Sequence, residues 1–168
     1  MNISQYRKYD IANGPGIRST IFVSGCRHNC KGCFNKEYMD FKNGEPYTQE
    51  FKEMVIGNIE KNPLICGVTI LGGEPLQQIE DDNLIDLLKS IKERTNVNIW
   101  IFSGYRFEEI ILNEDRLKIL ELCDVLVDGR FIEHKKDLKL KFRGSSNQRI
   151  IDIKKSLETN SIVLNEYN

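Results

Sequence analysis

Short apolar runs that end in glycine alternate along this chain with segments of helical periodicity, and that alternation restricts the fold more than any other feature. "STIFVSG" (Ser19 to Gly25), "CGVTILGG" (Cys66 to Gly73), "NIWIFSG" (Asn98 to Gly104) and "DVLVDG" (Asp124 to Gly129) read as strands, rich in Ile, Val and Phe and closed by Gly. Between them, Phe51, Met54, Val55 and Ile59 recur at helical spacing behind Thr48, a fair N-cap. Leu84, Leu87, Leu88 and Ile91 do the same after "EDDN", and a third helix is expected over Arg116 to Leu122. "RIIDI" (Arg149 to Ile153) and "SIVLN" (Ser161 to Asn165) are further possible strands. Four to six βα units with a mainly parallel sheet follow from the pattern.

Length decides part of what remains. A closed eight-unit barrel takes about 200 residues or more, and this chain has 168. An incomplete, open βα barrel or a doubly wound sheet is left, as one domain over residues 1–168. In both, ligands bind at the carboxyl ends of the strands. Those ends carry Ser24-Gly25-Cys26, Gly72-Gly73-Glu74-Pro75, Ser103-Gly104-Tyr105 and Asp128-Gly129-Arg130, so polar and glycine-rich chemistry gathers on one rim.

Charge and composition exclude several functions. Charged residues make up 29% of the chain but sum to a net charge of -1, with no dense basic block of the kind a nucleic-acid surface needs. No apolar run approaches the roughly 18 residues that span a bilayer, and "MNISQYRKYDIANG" has no apolar core of a signal peptide. A cytoplasmic, reducing location is expected, with no membrane partner. Clustered cysteines there are metal ligands or redox groups before they are disulfides.

Three of the five cysteines lie in "VSGCRHNCKGCFN": Cys26, Cys30 and Cys33, spaced C-x3-C-x2-C. Thiolates suit zinc or iron–sulfur clusters. A structural zinc needs a fourth ligand, and His28 is too close in sequence to complete a knuckle easily. Cys30 and Cys33 also form a C-x-x-C, the spacing of dithiol redox chemistry, which leaves Cys26 surplus. A [4Fe–4S] cubane held by three cysteines keeps one iron open for a substrate. Arg27, His28 and Lys31 place positive charge nearby, which favours thiolates. Cys66 and Cys123 stand alone in apolar surroundings and read as buried, inert thiols. His134 reads as part of a solvated face.

The spacing of the three cysteines is that of the radical S-adenosylmethionine (AdoMet) enzymes. "NGPGIRSTIFVSGC" (Asn13 to Cys26) resembles the segment before the cluster loop in glycyl-radical-enzyme activases, and "LGGEP" (Leu71 to Pro75) is similar to that superfamily's GGEP motif. "FSGY" (Phe102 to Tyr105), "LVDGRF" (Leu126 to Phe131) and "RGSSNQRIID" (Arg143 to Asp152) resemble the branch that serves anaerobic ribonucleoside-triphosphate reductases, with activases of pyruvate formate-lyase as the runner-up.

The resemblance implies an open βα barrel of radical AdoMet type. It implies one [4Fe–4S] cluster on Cys26, Cys30 and Cys33, and reductive cleavage of AdoMet to methionine and a 5′-deoxyadenosyl radical. That radical would take hydrogen from a glycine of the large reductase subunit, with an electron donor such as reduced flavodoxin. AdoMet would be held by Gly32, Cys33 and Phe34 at the adenine, by Gly72, Gly73 and Glu74 at the ammonium, and by Ser103, Asp128 and Arg130 at the methionyl or ribose part. Relatives place an aromatic before the third cysteine; here Gly32 stands there and Phe34 follows. The contrasting readings are a zinc-stabilised binding module and a dithiol oxidoreductase using Cys30 and Cys33.

Overall fold

The computed structural model describes all 168 residues. Seven strands form one sheet: β1 (Asn2–Asp10), β2 (Ile17–Val23), β3 (Glu45–Pro46), β4 (Ile65–Gly72), β5 (Asn98–Ser103), β6 (Val125–Asp128) and β7 (Arg149–Asp152). Their order is β3-β1-β2-β4-β5-β6-β7. The central β2, β4, β5 and β6 are parallel, while β1, β3 and β7 add antiparallel at the flanks. The sheet is thus mixed: the expected parallel pairing holds for its four-strand centre. The edge strands β3 and β7 do not meet, so the sheet is open.

Three helical crossovers join the parallel strands. α1 (Gln49–Glu60) links β2 to β4, α2 (Asn83–Arg94) links β4 to β5, and the short α3 (Phe107–Ile110) and α4 (Glu114–Leu120) link β5 to β6. A last helix, α5 (Ile153–Thr159), follows β7. Thr48 caps α1, its Oγ1 accepting from the Phe51 N–H at 3.2 Å. Asn113 caps α4 in the same way through Arg116 N–H.

The two faces of the sheet differ. Ile21, Val23, Val68, Ile70, Ile99, Ile101 and Leu126 point to one side and pack on Val55, Ile56 and Ile59 of α1, on Leu84, Leu87, Leu88 and Ile91 of α2, and on Ile119 and Leu120 of α4. The alternating positions point to the other side, where Trp100, Val125, Val127 and Ile150 form a smaller cluster with Phe102, Phe142 and Tyr167. No helix covers that side, which a doubly wound sheet would require. Loops and the C-terminal tail line it instead.

That second face carries an unusual group, the fully buried Arg18. Its guanidinium donates to Thr69 Oγ1 at 2.7 Å and to the Val68 and Asn98 carbonyls at 2.7 and 3.2 Å, and it lies over Trp100. Burial lowers its pKa to about 10, so it stays charged at neutral pH. Gly67 gives it room: a Cβ there would stand 2.1 Å from its Nη1.

One strand had no signal in the sequence, and two local expectations need correction. "NISQYRKYD" forms the long strand β1 although it is largely polar, because Arg7, Lys8 and Tyr9 are exposed while Ile3 reaches the core. Ser161 to Asn165 forms no strand of its own. It runs beside β7, joined by one bridge between Ile151 and Leu164 and by the Asn165 N–H to the Ile150 carbonyl. Cys66 is exposed, not buried. It sits at the start of β4, where its thiol donates to the Pro15 and Ile17 carbonyls. Cys123 is buried as expected, and burial pushes its thiol up. His134 is exposed. No helix is long and apolar enough to cross a membrane.

Candidate cluster and cofactor site

The register brings the strand ends level. Val23 pairs with Gly72, and Ser103 with Asp128. The segments that follow these ends therefore share one rim, and a cavity of about 600 Å³ opens there.

The first wall of that cavity is the cysteine loop. Gly25 leaves β2 with φ +94°, a left-handed conformation that suits glycine, and a Cβ there would meet the Phe41 ring at 2.2 Å. Cys26, Cys30 and Cys33 all line the cavity, all as free thiols of intermediate exposure. Burial holds the Cys26 thiol up at about 11, and burial and the neighbouring Cys33 raise Cys30. No three donors converge on one metal-ion position, as a single zinc with bonds of about 2.3 Å to sulfur requires. Three soft donors spread around a roomy cavity fit a larger group, such as an iron–sulfur cluster.

The second wall is the turn after β4. Gly72 has φ +111°. The Gly73 N–H donates to the Val23 carbonyl at 2.7 Å and the Glu74 N–H to the Gly25 carbonyl at 2.8 Å. The glycine pair thus lets the turn lie flush against the strand that leads to Cys26. Glu74 is 1% exposed. Its Oε1 accepts from Ser103 Oγ at 2.9 Å and from the Leu76 N–H at 3.0 Å, and its Oε2 from the Gly104 N–H at 2.6 Å. His28 Nε2 stands 3.0 Å from Oε2. It lies off the line of a hydrogen bond, so the two meet as a close polar contact. Gly72, Gly73, Glu74 and Ser103 all line the cavity.

The third wall is the loop after β6. Phe34 packs on Phe131 with centroids 5.1 Å apart, and Lys136 lies over its ring at 4.7 Å. Lys31 pairs with Glu133 at 3.1 Å. These contacts clasp the cysteine loop to this loop, and Phe34 and Phe131 face the cavity. "RGSSNQR" is the brace behind them. Gln148 Oε1 accepts from the Gly144 and Ser145 N–H groups, Gln148 Nε2 donates to the Gly129 carbonyl, and Asn147 Nδ2 donates to the Arg130 carbonyl.

Gly32, Asp128 and Arg130 are not among the residues lining the cavity. Gly32 lies beside Glu133. Asp128, 1% exposed, accepts from the Phe107 N–H at 2.8 Å and is bonded by Arg149, which also reaches Glu108. Its basic partner is therefore Arg149, while Arg130 is exposed. Asn13, the first residue of the "NGPGIR" segment, reaches the cavity, as does Ala12 before it. Sequence reasoning missed Arg7, Phe131, Leu138, Leu140 and Phe142 on the lining. It also missed His28 as a buried group; its place between two cysteines was the available signal.

The family described as a 4Fe–4S single cluster domain matches residues 12–151. The anaerobic ribonucleoside-triphosphate reductase-activating protein of Escherichia coli K12 is 39% identical over 150 residues, covering 88% of this chain and 96% of that one. That of Vibrio cholerae is 38% identical over 152 residues, with 89% and 97% covered. That of bacteriophage T4 is 34% identical over 151 residues, with 89% and 93% covered. With such identity sustained over almost the whole of both sequences, the chain belongs to the family of anaerobic ribonucleoside-triphosphate reductase-activating proteins.

Proposed function

We propose that this protein activates an anaerobic ribonucleoside-triphosphate reductase by generating a glycyl radical on its large subunit, as a radical AdoMet enzyme of the cytoplasm. One observation carries the reading: Cys26, Cys30 and Cys33 face one cavity that the adjoining Gly72–Glu74 turn also lines. The open sheet with helices on one face only supports an incomplete barrel of radical AdoMet type.

Cys26, Cys30 and Cys33 would hold a [4Fe–4S] cluster, which when bound supplies the electron for reductive cleavage of AdoMet. The chain's own residues do the rest. Gly72 and Gly73 let the turn lie flush against the backbone of Val23 and Gly25, which would leave the turn at the edge of bound AdoMet. Ser103 holds Glu74, and both border the same end of the cavity. Phe34 and Phe131 would offer aromatic surface for the adenine, beside Cys33 on the same cavity. Asp128 ties the start of α3 to β7 through Phe107 and Arg149, next to Gly129 on the cavity wall. Arg130, at the exposed rim, is suited to a carboxylate of cofactor or partner.

The electron donor would be a small redox protein such as reduced flavodoxin. The test is anaerobic reconstitution with iron and sulfide, reduction, and assay of AdoMet cleavage to methionine and 5′-deoxyadenosine. A protein that cleaves AdoMet only with the cluster present supports the proposal; disulfide reduction that needs no iron and survives loss of Cys26, with no AdoMet cleavage, would favour dithiol chemistry at Cys30 and Cys33.

A further inference from the structure

We propose that His28 is a positioning residue that locks the cysteine loop onto the Gly72–Pro75 turn by pairing with Glu74. The inference rests on the cluster reading above. It gives a purpose to a side chain that is neither a cluster ligand nor part of the apolar core.

His28 is anomalous for its place. Its neighbours Arg27 and Asn29 are exposed, as loop residues usually are. Its own side chain is only 5% exposed and meets a carboxylate that is 1% exposed, at 3.0 Å. A buried carboxylate is costly unless it is well partnered. Glu74 already takes three hydrogen bonds from β5 and from its own turn. His28 adds a side-chain contact from the cysteine loop to this carboxylate, beside the backbone bond from the Glu74 N–H to the Gly25 carbonyl.

The surroundings are shaped for the ring. It packs edge-on against Tyr105, with centroids 4.5 Å apart and planes at 70°. A Cβ at position 104 would stand 2.4 Å from the ring Cδ2, so Gly104 leaves the space the imidazole occupies. Arg116 backs the Tyr105 ring at 3.7 Å. Gln77 donates to the Tyr105 hydroxyl at 3.1 Å and accepts from the Arg27 N–H at 2.8 Å. Two successive loop residues are thus gripped by elements beyond β4 and β5. Directly after them Asn29 takes φ 49°, a left-handed turn that leads the chain on to Cys30. Fixing His28 therefore fixes the path between the first two cysteines.

Two variants separate pairing from packing. His28→Gln retains an amide donor near the position of Nε2, whereas His28→Phe retains the ring against Tyr105 and loses the polar contact. The first measurement is amide hydrogen exchange of the metal-free chain over Val23 to Asn35. Loss of a buried polar contact predicts roughly tenfold faster exchange in His28→Phe, with His28→Gln near the wild type. In a Glu74→Gln background, His28→Phe should add less than about twofold, because paired groups are not additive. The second measurement, after anaerobic reconstitution, is iron content and the EPR g-values of the reduced cluster. Wild-type values are expected for His28→Gln; altered g-values and lower iron are expected for His28→Phe. Exchange and EPR unchanged in His28→Phe, or equally altered in both variants, would overturn the proposal. A wild-type chain that takes up no cluster would instead overturn the function reading, while the exchange result still decides the pairing.

Discussion

Gly73 lies against Gly25 so closely that a Cβ on it would stand 2.4 Å from the Gly25 carbonyl oxygen. The contact joins the two walls of the cavity backbone to backbone. Gly73→Ala should therefore force β2 and the turn apart, with a stability loss of about 1–3 kcal/mol, the usual cost of overpacking. Urea unfolding would show this as a lower midpoint, and iron uptake should fall in parallel. A variant of unchanged midpoint would show that the turn relaxes freely.

Asp128 should matter for stability more than its place in a cofactor motif suggests. Its buried carboxylate joins the start of α3 to β7 through Phe107 and Arg149. Asp128→Ala leaves the Phe107 amide without its acceptor and the Arg149 guanidinium with Glu108 alone, at a cost of about 2–4 kcal/mol. Thermal unfolding measures that cost. Arg130→Ala, at an exposed position, should change the midpoint little, which separates the two residues.

The same network predicts an acid limb. The Arg149 guanidinium holds Glu108 below its ordinary carboxylate range. A carboxylate depressed on folding adds stability above its unfolded pKa, near 4.5, and loses it as pH falls through the lower folded value. Stability should then fall on acidification below about pH 4.5. Glu108→Gln should flatten that slope, measured as unfolding free energy against pH. A slope unchanged by the substitution would assign the acid limb to other carboxylates.

The cysteines divide cleanly. Replacing Cys26, Cys30 or Cys33 by Ala should abolish the visible absorption of the reconstituted cluster. Cys66→Ser and Cys123→Ser should keep it, since neither lines the cavity. Loss of the absorption in Cys66→Ser would bring the exposed thiol into the site.

Much of the fold was legible because its strands and helices bury continuous or periodic apolar faces. Ile21, Ile70 and Ile101 declare one face of the sheet, and Leu84, Leu87, Leu88 and Ile91 the helix upon it. β1 was not legible, because a strand with Arg7, Lys8 and Tyr9 in solvent lacks the apolar signal. The site was legible where its chemistry is local, as in Cys26 to Cys33 and Gly72 to Glu74. It was hidden where partners are distant in sequence. Nothing in "DGR" says that Asp128 turns to Arg149, 21 residues on. Nothing in the cysteine loop says that His28 reaches Glu74 across the cavity. Leu138 and Phe142 were obscured by the lysines around them, though the fold brings both to the cavity wall.

The central claim is activation of the reductase, and one measurement tests it most directly. The reconstituted, reduced protein is incubated with AdoMet and, separately, with the large subunit of an anaerobic ribonucleoside-triphosphate reductase or with pyruvate formate-lyase, and each mixture is read by EPR. The glycyl-radical doublet is expected with the reductase. A doublet with the lyase alone, or a colourless protein holding stoichiometric zinc and giving no signal, would contradict it.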